Sequence, residues 1–127
     1  MIDLTQRAQE WIDGDPDPLT RAELSQLIPS GDTDELSERM AGTLAFGTAG
    51  IRGVVEAGSN RMNRAMVIRT TAGLVQYLLA RTSPGERLVA IGRDARPSSL
   101  SFMEDTIGVL TAAGFDVRYF AGPTPTP

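Results

Sequence analysis

The chain has 127 residues, with 12 basic side chains against 16 acidic ones, and contains no cysteine and no histidine; every basic residue is an arginine. Disulfide frameworks, Cys/His zinc sites, Cys nucleophiles, Ser-His-Asp triads, Schiff bases and the Walker lysine are thereby excluded for this chain. The length suits one ordinary domain, whose chemistry must come from carboxylates, hydroxyls, backbone amides and arginine.

Residues 3–13 place Leu4, Ala8, Trp11 and Ile12 on one helical face, and Gly14 ends the pattern. A second helix is expected after Asp17, with Pro18 preorganised for its first turn and Leu24, Leu27 and Ile28 as its apolar face. Thr20 and Glu23 have capping-box spacing at that turn. A short third helix fits 33–40, with Asp32 as N-cap and Glu35 three residues on. Residues 1–40 hold ten acids and three arginines, whereas the remainder is net positive by three, so the overall −4 conceals two opposite halves. Residues 1–41 read as an acidic helical N-terminal extension. The acidic balance argues against nucleic acid or an anionic membrane as the partner of the whole chain. The later half still suits a compact anion. No stretch reaches the roughly 18 apolar residues of a membrane span, and no basic-then-apolar leader opens the chain. Cytoplasm is the expected compartment.

Residues 42–127 read as an α/β domain. Two short strands are expected at 43–46 and 51–55, joined by a glycine-rich loop. Asn63 caps a long helix reaching about Arg81, with Val67, Leu74, Val75, Leu78 and Leu79 toward the core. A turn at 83–86 leads to Leu88-Val89-Ala90-Ile91, a continuous apolar run suited to a strand buried on both faces. A helix follows over 99–113, with Ser98 or Ser99 as cap and Gly114 as stop. Residues 115–120 form the last strand. Strand, helix, strand in this order implies a βαβ unit. The expected architecture is three-layered, a mixed sheet flanked by helices. It runs into Gly-Pro-Thr-Pro-Thr-Pro with no further element, so the fold is expected to be cut before its last elements.

Three segments have the composition of ligand sites. In Gly47-Thr48-Ala49-Gly50-Ile51-Arg52-Gly53, three glycines at three-residue spacing permit positive φ and a cradle of backbone N–H groups. Thr48 adds a hydroxyl and Arg52 a planar fork matched to phosphate oxygens. A hairpin turn with a solvated arginine fits the same letters. The second segment, Gly92-Arg93-Asp94-Ala95-Arg96-Pro97-Ser98-Ser99, lies between a strand's carboxyl end and a helix N-terminus, where α/β sheets bind anionic ligands. Asp94 there either orients the two arginines or accepts loop N–H groups, and an Asp–Arg latch of purely structural use fits equally. Third, Asp13-Gly14-Asp15-Pro16-Asp17-Pro18 has the letters of a cation loop. Pro18 and Leu24 stand where an EF-hand needs glycine and glutamate, so it reads as a solvated acidic linker. In Gly58-Ser59-Asn60-Arg61-Met62-Asn63, Arg61 either faces solvent or joins the anion site.

Taken together, FGTAGIRG at 46–53, GSNRMN at 58–63, GRDARPSS at 92–99 and PTPTP at 123–127 resemble the N-terminal domain of the α-D-phosphohexomutases, the phosphoglucomutase/phosphomannomutase family. The acidic helical lead and the GSNRMN run look most like its longer phosphoglucomutase, phosphomannomutase and phosphopentomutase members. Ala49 stands where phosphoglucosamine mutases carry an acid. The resemblance implies a four-domain parent that moves phosphate between the 1-position and the terminal hydroxyl of a sugar, through a phosphoserine, Mg²⁺ and a bisphosphorylated sugar. It places the phosphoserine loop beyond Pro127 and the Mg²⁺-binding loop in a later domain. This chain is therefore expected to supply no nucleophile and no metal ligand, and to be inactive alone. By the same resemblance, Thr48 and Arg52 contact phosphate, and Gly47, Gly50, Arg61, Arg93, Asp94 and Arg96 support the crevice. The implied partners are a phosphosugar and the remaining mutase domains. A free-standing phosphate- or partner-binding α/β module is the alternative, and self-association through open sheet edges is a further expectation.

Overall fold

In the computed structural model, which describes residues 3–48 and 50–125, the first three helices each begin at an aspartate. Asp3 accepts the Gln6 amide at 2.7 Å and opens α1, Leu4–Gly14. Asp17 accepts the Leu19 amide at 3.0 Å and opens α2, Pro18–Ser30, with Pro18 in its first turn. Asp32 accepts the Glu35 amide at 3.1 Å and opens α3, Thr33–Arg39. Each carboxylate satisfies an amide that has no partner within its own helix. Ala8, Trp11, Ile12, Leu24 and Leu36 then form the centre of one core, with Leu4, Leu27 and Ile28 packed around it.

The chain divides into two compact units, residues 1–66 and 67–127. The first extends beyond the helices because the loop at 56–63 is bonded to the end of α3. Asn60 donates its backbone N–H to the Arg39 carbonyl at 2.8 Å and its side-chain amide to the Glu38 carbonyl at 3.1 Å. Ser59 reaches the Gly42 carbonyl at 2.7 Å. The contacts at Glu38 and Arg39 use carbonyls that a helix C-terminus leaves without partners. Gly58 is required at the closest approach: its φ is +125°, and a Cβ there would lie 2.7 Å from the Arg39 carbonyl oxygen.

The strands of this unit are shorter than the apolar runs suggest. Strands β1, Phe46–Gly47, and β2, Gly50–Ile51, form an antiparallel pair of two residues each. The run expected to continue to Val55 is diverted after Ile51. Val54 accepts the Met62 amide at 2.8 Å and Val55 bridges Met62, so both valines stay more than half exposed. Asn63 is buried and acts on both sides of the turn. It accepts the Met66 amide at 3.0 Å, as the sequence suggested, while its side-chain N–H groups donate to the Glu56 and Gly58 carbonyls.

Helix α4 spans Arg64–Leu79. In the second unit its buried stripe runs through Thr71, Val75, Leu78 and Leu79, and Leu74 falls beyond the margin of that stripe, 46% exposed rather than inward as its spacing suggested. A single 3₁₀ turn, Pro84–Glu86, leads to β3, Leu88–Ile91. Helix α5, Ser99–Ala112, and β4, Asp116–Tyr119, complete a βαβ unit whose two strands pair in parallel, Leu88 opposite Asp116 and Ile91 opposite Tyr119. Phe115 donates to the Leu110 carbonyl at 3.0 Å and Gly114, at φ +89°, to that of Thr111 at 3.1 Å, the two reverse bonds of a Schellman ending. Leu110, Phe115 and Val75 are the covered centre of this unit, with Val89, Ile91 and Val117 against them.

One expectation changes. Strand β3 is not buried on both faces: Val89 and Ile91 turn inward while Leu88 is 54% exposed. With only β4 beside it and helices against one face, the apolar run alternates as a half-covered strand does. The α/β class holds, with both antiparallel and parallel pairings present, in two two-stranded sheets among the described residues.

Candidate functional site

The two glycine- and arginine-rich segments fall in different units. In the first unit, β1 and β2 pair Phe46 with Ile51 and Gly47 with Gly50, and both Thr48 and Arg52 are exposed. Neither has a hydrogen bond or ion pair among the described residues. The glycines do not act as a set. Gly50 alone of Gly47, Gly50 and Gly53 has positive φ, at +103°. A cradle built from successive left-handed residues is therefore reduced to one such position. Gly53 lies against Leu44, where a Cβ would sit 2.6 Å from Cδ1, the end of a flexible side chain. Ala49, which bears on subgroup, lies outside the described residues. So do Thr126 and Pro127, the end of the PTPTP run, beyond which the phosphoserine loop is expected.

In the second unit, the loop after β3 is organised around two separate contacts. Asp94 accepts the Arg96 amide at 3.0 Å and pairs with its guanidinium at 3.4 Å, so it holds one arginine and its loop amide together. Arg96 remains 82% exposed, which makes the pair weak in energy and useful as an orienting contact. Arg93 turns the other way. Its Nη1 donates to the Ser99 hydroxyl at 3.3 Å, and its Nε is buried without a hydrogen-bond partner. The loop is tied from outside by the Thr124 amide, which donates to the Arg93 carbonyl at 2.8 Å. Neither serine caps α5 with its side chain. Ser98 occupies the cap position with helical dihedrals, and the Ser99 hydroxyl donates back to the Asp94 and Arg96 carbonyls.

Arg61 belongs with neither loop. It is 7% exposed, donates through Nε to Glu56 at 3.1 Å and through Nη1 to the Asn60 carbonyl at 3.0 Å, and lies 3.4 Å from Glu38. Burial of a guanidinium requires that its N–H groups be satisfied, and these partners satisfy it. Of the two positions the sequence left open, solvent is not the one it takes, and its partners here are internal ones.

Sequence reasoning passed over the charged cluster beside it. Arg39 bonds Glu35 at 2.8 Å and Glu23 at 2.7 Å and lies 3.5 Å from Glu56, while Glu23 also accepts the Ala57 amide. Burial opposes the charge on Arg39, but the hydrogen bonds it donates to Glu35 and Glu23 and the fields of Glu56 and Glu23 outweigh it and raise its pKa. The four-residue spacing of Glu35 and Arg39 on a helix was the available signal; the links to Glu23 and Glu56 depend on tertiary packing.

The acidic run at 13–17 is only partly solvated: Asp13 is exposed, whereas the two later aspartates turn inward. Asp15 and Asp17 are 3% and 8% exposed. Asp15 accepts the Asp17 amide at 3.0 Å and the Thr20 hydroxyl, and Asp17 caps α2. With these oxygens committed, the run offers no cation loop. Among the described residues no group of three or more acidic side chains is placed to hold a metal ion.

Residues 43–127 match the sequence model described as phosphoglucomutase/phosphomannomutase, alpha/beta/alpha domain I. The chain is 37% identical over 125 residues to a probable phosphoribomutase of Schizosaccharomyces pombe, covering 98% of this chain and 21% of that protein. It is 36% identical over 131 aligned positions to a phosphopentomutase of Mus musculus, covering 98% and 21%. With a glucose 1,6-bisphosphate synthase of Homo sapiens the identity is 32% over 125 residues, covering 93% and 20%. The chain thus spans about a fifth of the length of the curated relatives it matches. No solved structure matches it significantly.

Proposed function

We propose, from the premise that the chain belongs to the phosphoglucomutase/phosphomannomutase family through its first α/β/α domain, that it forms the N-terminal part of a sugar phosphomutase. The parent would be an intramolecular phosphotransferase interconverting a sugar 1-phosphate with its 5- or 6-phosphate. Phosphopentomutase and phosphoribomutase relatives make ribose 1-phosphate the first substrate to assay, with glucose 1-phosphate second. The reading assigns the phosphoserine and Mg²⁺ to segments other than this one, and places the parent in the cytoplasm.

The observation that carries the reading is the state of Arg52: an exposed guanidinium, free of hydrogen bonds and ion pairs among the described residues, beside the exposed Thr48 hydroxyl. Every other arginine of the candidate set has a carboxylate, hydroxyl or carbonyl partner. A guanidinium with no internal partner is ready to bind two phosphate oxygens side by side, and phosphoryl transfer depends on such positioning and charge neutralisation. Asp94 would keep Arg96 at a fixed reach without neutralising it, because the pair is solvated.

The test is steady-state kinetics of the full-length gene product carrying Arg52→Lys and Arg52→Ala. A loss of about a hundredfold in kcat/KM is expected for alanine, in line with removal of one charged donor from a transferring group. Lysine should recover only part of it, because its point charge lacks the planar fork. Unchanged kcat/KM in both would remove Arg52 from the site. Absence of mutase turnover with either sugar in a folded full-length protein, given Mg²⁺ and a bisphosphate activator, would remove the mutase reading. The 127-residue chain alone is expected to show no turnover.

A further inference from the structure

Among the described residues, strand β4 has one neighbour. Its parallel pairing with β3 uses the Asp116 amide, which donates to the Arg87 carbonyl at 2.8 Å. Successive residues of a strand direct their N–H and C=O groups to alternate sides. Asp116 and Arg118 are thus the residues that bond toward β3, and Val117 and Tyr119 direct their backbone groups away from it. No described strand accepts them. Asp116 and Arg118 also share the exposed face, while Val117 packs against the core. No ion pair or hydrogen bond engages either charged side chain among the described residues. Tyr119 and Phe120, at the end of the strand, are 59% and 56% exposed.

Charges on an edge strand ordinarily prevent pairing. Here the two charges are opposite in sign and two residues apart, which makes the edge complementary to itself in one arrangement. If two copies of β4 run antiparallel about a two-fold axis at Val117, the Val117 residues form the hydrogen-bonded pair. Each Asp116 then stands opposite the other copy's Arg118 in a non-hydrogen-bonded pair, the closer of the two cross-strand geometries. The outward backbone groups of β4 find partners, the exposed face gains two symmetric ion pairs, and a four-stranded sheet spans both copies. In-register parallel pairing would instead oppose like charges. The free edge of β3, Leu88–Ile91, carries no charge to specify a register.

We infer that the outer edge of β4 is a self-recognition surface, through which a second copy of this chain docks antiparallel with reciprocal Asp116–Arg118 contacts. Such an interface is isologous, so a single substitution acts twice. The experiment is sedimentation of the 127-residue chain over a wide concentration range, with Asp116→Arg, Arg118→Asp and an equimolar mixture of the two. Circular dichroism would verify that each variant is folded. Wild type should show a concentration-dependent dimer. Each single variant opposes like charges at both contacts and should weaken the dimer about tenfold or more. In the mixture, the new guanidinium of Asp116→Arg meets the new carboxylate of Arg118→Asp. The native Arg118 of the first variant and the native Asp116 of the second meet at the other contact. A heterodimer of near wild-type affinity should therefore form. A wild-type chain that stays monomeric at every concentration overturns the inference. So do single variants that dimerise as wild type does, or a mixture no tighter than its components.

Discussion

Residues 1–66 bury Asp15, Asp17, Arg61 and Asn63, whereas residues 67–127 bury no charged side chain among those described and only one polar one, Thr71. The difference follows from the backbone. In the second unit, β3 and β4 pair along their facing edges, α5 bonds within itself, and even the end of α5 is closed by main-chain bonds through Gly114. Its core can then be almost purely apolar. The first unit joins three short helices to a loop with hardly any regular pairing. There, side chains must supply the partners: Asp15 and Asp17 between α1 and α2, Asn60 and Asn63 around the loop, Glu23 on the Ala57 amide. A buried backbone group needs a partner from some source. The identity of that source decides whether a unit's interior is charged or apolar.

Substitutions can break this contrast, beginning with the largest expected effect. Leu110 is 1% exposed at the centre of the apolar core, and Leu110→Ala should cost about 3 kcal/mol in urea unfolding, the ordinary range for a buried leucine. Loss of amide-exchange protection should appear in α5, β3 and β4. A cost below about 1 kcal/mol would mean that this unit does not depend on its apolar centre.

Next comes the charged cluster. Arg39→Met keeps the length of the stem but removes the guanidinium that three glutamates share. The partners are about a third or more exposed, so the loss is discounted from that of a fully buried pair to about 2 kcal/mol. Arg96→Met, at an 82% exposed side chain in the other unit, should change stability by less than about 0.5 kcal/mol. Equal effects of the two substitutions would erase the distinction between charges that build the first unit and charges that decorate the second.

The smallest effect lies at the 3₁₀ turn. The Glu86 carboxylate accepts the Ser83 amide at 2.9 Å, and that backbone bond, with a further one from the Ser83 side chain, lowers its pKa. Since the native pKa lies below the unfolded one, the stabilisation is complete above the unfolded value and is lost as pH falls through the native value. The melting temperature of Glu86→Ala should therefore fall slightly below wild type near neutrality and converge with it in acid. A gap that persists or widens in acid would assign the effect to something other than this carboxylate.

Local signals carried much of the fold because the determining contacts are close in sequence. Aspartates three or fewer residues from the amides they cap, Pro18 in a first turn, Asn63 before α4 and Gly114 after α5 are all legible without tertiary knowledge. The family was legible too, because its motifs are contiguous runs. At the candidate site, the exposure of Thr48 and Arg52 follows from a hairpin whose turn is written in glycine, although only Gly50 uses the left-handed freedom open to all three.

By itself, then, the sequence determined the helices, the caps at Asp32 and Asn63, the βαβ order, the family and the arginine-based chemistry open to a chain without histidine, lysine or cysteine. Only the tertiary structure decided the fate of individual charges and strand faces. Asp15 and Asp17 were drawn inward by nearby backbone amides, and Arg61 by carboxylates as distant along the chain as Glu38. Leu88 stayed outside because the apolar cluster with Val75, Leu110 and Phe115 covers only the face that Val89 and Ile91 share. Capping and periodicity act within a helical turn or two, whereas burial depends on which distant element arrives to cover a side chain, and no local pattern encodes that arrival.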